Sequence, residues 1–344
     1  GLGRRRPWAF AGGWFFLILA PTSSVMPIND LAAERRMYLP LAAVMAGVVL
    51  AAFLLGGALL RRVLPTGPAR RRTGAILALL LLLAAAGGLG ALTARRNALY
   101  RSALSVWEDV LRQRPGNPRA WYNAGVIHGK AGRRAEALYC YSRSIEARPD
   151  YEARVYYNRG ETLAAMGRLH EAIADYSRAI AMDSRYVRAF VNRGAALTAL
   201  GRCDDAIPDL DRALQLDLRS PEAWHNRGAA LAAKGAHGEA MRDYRRAIEL
   251  KPGYAAAHYG MGNALFHLDR PAEAVAEYGR ALAARPDYAE ALQNRAVAWL
   301  TLREFGRAWA DVRRLREVGV EPTALVQALR AAEGGDGGRR TADD

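Results

Sequence analysis

The chain has 344 residues, 51% of them hydrophobic, and a formal net charge of +15. The charge is uneven: residues 1–96 carry twelve Arg and no Lys against Asp30 and Glu34, a net of +10, and residues 97–344 carry the other +5. Positive charge gathered beside apolar runs argues against a nucleic-acid binder, which needs a single-signed stripe on a folded surface.

The chain begins Gly1-Leu2-Gly3 and reads as part of a longer protein. Three stretches have the apolar character of membrane spans, at about 7–25, 41–60 and 75–94, the last with five consecutive Leu at 79–83. Some 20 residues of helix cross about 30 Å of hydrocarbon. Arg4, Arg5 and Arg6 precede the first stretch, and Arg61, Arg62, Arg70, Arg71 and Arg72 follow the second. The positive-inside rule then puts the loop 21–40 and everything after residue 94 on the non-cytoplasmic side. In a bacterium this predicts a multi-pass inner-membrane protein with a periplasmic C-terminal region. Within that loop, Glu34, Arg35, Arg36 and Tyr38 are candidates to hold a lipid-linked phosphate, because guanidinium matches phosphate geometry. They serve equally as interfacial anchors.

From residue 118 the sequence repeats. Asn123/Gly125, Asn158/Gly160, Asn192/Gly194 and Asn226/Gly228 recur every 34 or 35 residues, continued by Gly262 and by Asn294/Ala296. An alanine follows each centre by twelve (Ala137, Ala172, Ala206, Ala240, Ala274, Ala308), and a Tyr, Leu or Val comes four later. Pro149, Pro252 and Pro286 close units. The pattern resembles the tetratricopeptide repeat, a pair of antiparallel helices, A and B, about 34 residues long. Six units start near 118, 153, 187, 221, 255 and 289, with a B helix alone before them at Ala103, Trp107 and Pro115.

The asparagines Asn123, Asn158, Asn192, Asn226 and Asn294 look like the ladder of the O-GlcNAc transferase repeat domain, which implies that they hold an extended polypeptide. A carboxamide complements a peptide group in donors and acceptors. The same residues could instead pack or cap the helices. Asp175, Asp209, Asp243 and Asp311 each precede an Arg by three on helix B and are expected to form i,i+3 pairs on a solvated face. Six scattered histidines offer no i,i+4 metal pair, and Cys140 and Cys203 are expected to be small packing residues.

The loop from Pro21 to Pro40, followed by apolar helices and tetratricopeptide repeats, resembles the C-terminal end of a family of membrane glycosyltransferases related to protein O-mannosyltransferases. Pro21, Ser23, Ser24, Pro27, Glu34, Arg35, Arg36, Tyr38, Leu39 and Pro40 carry the likeness. The resemblance implies a parent enzyme with a polyprenyl-phosphate-linked sugar as donor. The catalytic region would lie outside this chain, which itself would carry no catalytic residue, metal or cofactor. The alternative is a non-enzymatic membrane-anchored scaffold of the cell envelope. The expected fold is all-α, with two to three transmembrane helices followed by a right-handed superhelical solenoid. Its expected parts are 1–96 in the membrane, 97–117 as a linking half repeat, 118–320 as six units, 321–333 as a capping helix and 334–344 as a disordered tail. The expected partners are a polypeptide in the groove and membrane lipid.

Overall fold

The computed structural model describes residues 102–340, with side chains to 333, and four helical positions before them, Ile76, Leu80, Ala84 and Gly88. The chain divides into two units, Gly1–Leu99 and Tyr100–Asp344, and the helices named below belong to the second. A first helix, α1 (Ala103–Gln113), starts at a capping box in which Ser102 and Ser105 satisfy each other's backbone. Six helical hairpins follow: α2 (Pro118–Lys130) with α3 (Arg134–Ala147), α4 (Ala153–Ala165) with α5 (Leu169–Met182), and α6 (Val187–Ala199) with α7 (Cys203–Leu216). The others are α8 (Pro221–Ala233) with α9 (His237–Leu250), α10 (Ala255–His267) with α11 (Pro271–Ala284), and α12 (Ala289–Thr301) with α13 (Phe305–Glu317). The last helix, α14, spans Thr323–Arg340. Starts are marked by Asn117 and Ser220 as N-caps and by Pro118, Pro221 and Pro271 in the first turn.

Each hairpin closes on a residue in the left-handed region. Gly132, Gly167, Gly201 and Gly235 supply it at φ of 72 to 82°, and Asp269 and Arg303 take the same place at 57° and 60°. Within a hairpin, a stride of sixteen residues sets the packing. The glycine of helix A lies against the large residue of helix B, so a Cβ at Gly125, Gly160 or Gly262 would stand 2.6–2.7 Å from the ring of Tyr141, Tyr176 or Tyr278. In the sixth unit the small partner has grown to Ala296 and the large one has shrunk to Val312, both fully buried. Volume is conserved across the contact, as close packing requires.

Every A helix touches the A helix of the next unit, whereas no B helix touches the next B helix. The A helices are therefore the closer-spaced, inner layer of a superhelical solenoid, and the core runs along it as successive clusters between neighbouring units. Leu325, Val326 and Leu329 of α14 close the far end against Leu292, Val312 and Leu315.

This corrects the expected fold class. Among the described residues no helix is long and apolar enough to cross a membrane. The paired helices have 13 or 14 residues, roughly 20 Å of rise, well short of the hydrocarbon thickness. The spans expected at 7–25, 41–60 and 75–94, and the loop with Glu34, Arg35, Arg36 and Tyr38, lie outside the described residues apart from the four helical positions.

Candidate protein-binding face of the solenoid

On the inner layer, the second residue of each A helix is Arg119, Arg154 and Arg188 in the first three units, then Glu222, Ala256 and Glu290. The three arginines and both glutamates are exposed. Arg154 pairs with Glu152 at 3.0 Å and Arg188 reaches Glu161 at 4.0 Å, with side-chain exposures of 66% and 71% for the two arginines. Arg188 also lies 5.1 Å from the centre of the Tyr157 ring.

The asparagines sit at the sixth position of the A helices, where one unit meets the next. Asn158 Nδ2 donates to the Tyr122 hydroxyl at 3.2 Å, Asn192 to Tyr157 at 3.1 Å and Asn294 to Tyr259 at 3.1 Å. Asn192 also reaches Glu161 at 3.5 Å, and Asn294 reaches Asn263 Oδ1 at 2.9 Å. Asn123, in the first unit, donates to the Arg119 carbonyl of its own helix at 2.8 Å. Asn226 follows a unit with Val191 where those tyrosines stand, and its carboxamide makes no hydrogen bond among the described residues. The structure thus gives the Nδ2 of three asparagines an inter-repeat partner.

Burial has a clear electrostatic signature here. The hydroxyls of Tyr141, Tyr157, Tyr176 and Tyr278 are pushed well above the phenol range by loss of hydration, and that of Tyr254 to about 12 for the same reason. His225 lies between the rings of Tyr244 and Tyr254, at 5.7 and 5.2 Å, with a buried Nδ1 that has no partner. Burial lowers it to about 4, so its ring is neutral in the fold.

The expected i,i+3 Asp–Arg pairs are replaced by a longer-range arrangement. Asp175, Asp209, Asp243 and Asp311 are buried and face helix A, not solvent. Each takes a two-pronged bond from the Arg sixteen residues earlier: Arg159, Arg193, Arg227 and Arg295, at 2.6–2.9 Å. These arginines also reach the preceding B helix, Arg159 to Ser142, Arg193 to Ser177 and Arg227 to Asp211. Carboxylates one residue before a buried Tyr176, Leu210, Tyr244 or Val312 share its inward direction, which a spacing rule for a single helix does not capture. The constant stride of sixteen in four units was the signal that could have revealed them.

The arginines of the second position were not singled out from sequence, although their register is visible once the helix starts are fixed. Among the described residues no group of three or more His, Cys, Asp or Glu is placed to hold a metal ion.

Tetratricopeptide-repeat models match residues 89–152, 153–186 and 255–288, and a TPR repeat model matches 194–235 and 230–269. Together these matches span more than half of the chain, and the chain belongs to the tetratricopeptide-repeat family. A tetratricopeptide repeat protein from Parabacteroides merdae is 20% identical, with 67% of this chain and 91% of that one covered at a TM-score of 0.55. A chain of the APC/C hetero-tetramer Cut9–Hcn1 is 17% identical over 68% of this chain and 46% of that one, TM-score 0.59. Pseudomonas aeruginosa pilF is 18% identical over 62% and 96%, TM-score 0.53. Likeness at this level shows the fold alone. No curated protein matches the sequence.

These findings correct the identification as the C-terminal part of a membrane glycosyltransferase. The matching family models and the Parabacteroides merdae structure are of tetratricopeptide repeats, so the membrane glycosyltransferase and its polyprenyl-phosphate-linked sugar donor lose their support. The lipid partner and the multi-pass inner-membrane location with periplasmic repeats are corrected with it, since no described helix is long and apolar enough to span a bilayer.

Proposed function

We propose that this protein is an interaction scaffold whose inner, A-helix face holds a segment of a partner polypeptide. The carrying observation is the row of exposed Arg119, Arg154 and Arg188, one per unit, giving way to Glu222 and Glu290 further along. Such a face favours a segment that is acidic where it crosses the first three units, because complementary charge both steers and orients docking. In this reading the Asn226 carboxamide, and the Oδ1 atoms of Asn123, Asn158, Asn192 and Asn294, meet the backbone of that segment.

The test is selection from a random-peptide library on the wild-type chain and on a triple Arg119→Glu/Arg154→Glu/Arg188→Glu variant. Peptides rich in Asp and Glu should be enriched on the wild type and should bind the variant about tenfold or more weakly, since each exposed ion pair contributes about 0.5 kcal/mol or more. Enrichment of basic or purely apolar peptides, or equal binding to both proteins, contradicts the reading.

A further inference from the structure

The stride of sixteen that links three helices is broken at the start of the solenoid. In the third and fourth units it runs Ser177–Arg193–Asp209 and Asp211–Arg227–Asp243, and in the second Ser142–Arg159–Asp175 with a first step of seventeen; in each the guanidinium in the middle is bonded to both outer residues. In the sixth unit Arg295 bonds Asp311, and a Cβ on Gly279 would lie 3.7 Å from its Nη1. The first unit keeps the spacing but changes the residues, to Glu108, Ala124 and Cys140. The guanidinium is gone, its carboxylate is a small thiol, and the outer acceptor is an acid, as it is in the fourth unit.

An open cleft of about 700 Å³ occupies this place, lined by all three of these residues. Its other walls include Trp121 and the exposed Tyr139, whose rings meet edge to face at 5.7 Å. The charged lining groups are Glu108, Glu136 and Arg112, with Asp109 4.0 Å from Arg112. His128 also lines the cleft, with a buried Nδ1 that no group bonds. The Cys140 thiol is pushed up to about 11 by its burial and by Glu136 and Glu108, as a site with negative potential would do.

We infer that this cleft binds an arginine side chain of a partner protein, which takes the place that an internal arginine fills in four other units. Aromatic walls and two carboxylates suit a planar cation better than a compact ammonium. The site is separate from the inner face. At 3.6 residues per turn, Trp121, Ala124 and His128 lie on the side of α2 opposite Arg119, Asn123 and Val126. It does not depend on the peptide groove proposed above.

The experiment follows the indole N–H resonance of Trp121 in the full chain, assigned with Trp121→Phe, during titration with N-acetyl-arginine amide. The neutral isostere N-acetyl-citrulline amide and N-acetyl-lysine amide serve as controls. The arginine compound should shift the resonance along a saturating curve, the citrulline compound should not, and lysine should bind more weakly. Glu108→Gln should weaken arginine binding roughly fivefold, the scale of one partly exposed charge pair. Ala124→Arg with Cys140→Asp, which copies the other units, should abolish the response by filling the cleft from within. If that double variant fails to fold, Glu108→Gln still decides. No response to arginine, an equal response to citrulline, or full arginine affinity in folded Glu108→Gln overturns the proposal. The triple arginine variant of the inner face should retain the response, which separates failure here from failure of the groove reading.

Discussion

The fourth and fifth units place a histidine one position apart on their A helices, and the fold treats the two rings in opposite ways. His225, at the fifth position, is sealed between Tyr244 and Tyr254 with no partner for Nδ1. His258, at the fourth position, is buried and bonded at both nitrogens, to Glu277 at 2.7 Å and to the Pro252 carbonyl at 3.0 Å. Both ring nitrogens of His258 therefore face an oxygen, where the Nδ1 of His225 faces none. The same change appears next door. The fourth unit joins Arg227 to Asp243, whereas the fifth has Met261 in the arginine's place and Glu277 in the aspartate's. The 100° of rotation between neighbouring helix positions decides which histidine meets an aromatic wall and which meets an acid.

The sharpest break of this comparison is to give the fourth unit the fifth unit's residue. Arg227→Met leaves Asp243 buried at 4% exposure, with Trp224 where the fifth unit has its rescuing histidine. Loss of one member of a buried pair costs about 3–5 kcal/mol, because the remaining charge is stranded. Urea denaturation followed by helical circular dichroism should show a loss of this size. Adding Asp243→Leu should recover most of it, since replacing both partners by apolar groups is often close to neutral. A single variant as stable as wild type would show that Asp243 is hydrated in the fold.

A second test uses pH to separate the histidines. The folded value of His225, about 4, lies below the ordinary 6.5, so between these limits the unfolded chain binds the extra proton. Stability from this group is complete above about pH 6.5 and is lost as the pH falls toward 4. The shift corresponds to about 3 kcal/mol at most. His225→Phe should flatten the stability profile over that window and leave it unchanged above pH 7. An unchanged acid slope would mean that water reaches the Nδ1 atom.

The contrast also shows what the one-dimensional pattern contains. Period, hairpin boundaries and the small-against-large contact are readable because each unit repeats them, and the exception Ala296–Val312 is readable as a matched change in volume. Spacing along one helix points the aspartates to the wrong arginines, because i,i+3 and i,i+16 neighbours are both present and only the packing of helix A on helix B selects between them. The roles of His225 and His258 were not legible, because each depends on residues 19 to 29 positions away. The cleft beside Cys140 was missed for a related reason. It is defined by the arginine that the first unit lacks, and an absence is visible only once the other units show what fills the place.

The smallest expected effects bear on the asparagine series, where a structural tie and a recognition surface make different demands. Asn192→Ala removes donation to Tyr157 and Glu161 between neighbouring units and should cost about 1 kcal/mol, the net contribution of a typical internal hydrogen bond. Asn226→Ala removes no such bond and should change stability by no more than about 0.5 kcal/mol. For capture of an acidic peptide the order should reverse. In the proposed reading Asn226 offers its whole carboxamide to a peptide backbone, whereas Asn192 has its donor committed to the preceding unit. Parallel measurements of stability and peptide affinity on the two alanine variants therefore distinguish the two roles. If Asn226→Ala leaves affinity unchanged while Asn192→Ala lowers stability, the series serves to tie repeat to repeat, and recognition on the inner face falls to the arginines alone.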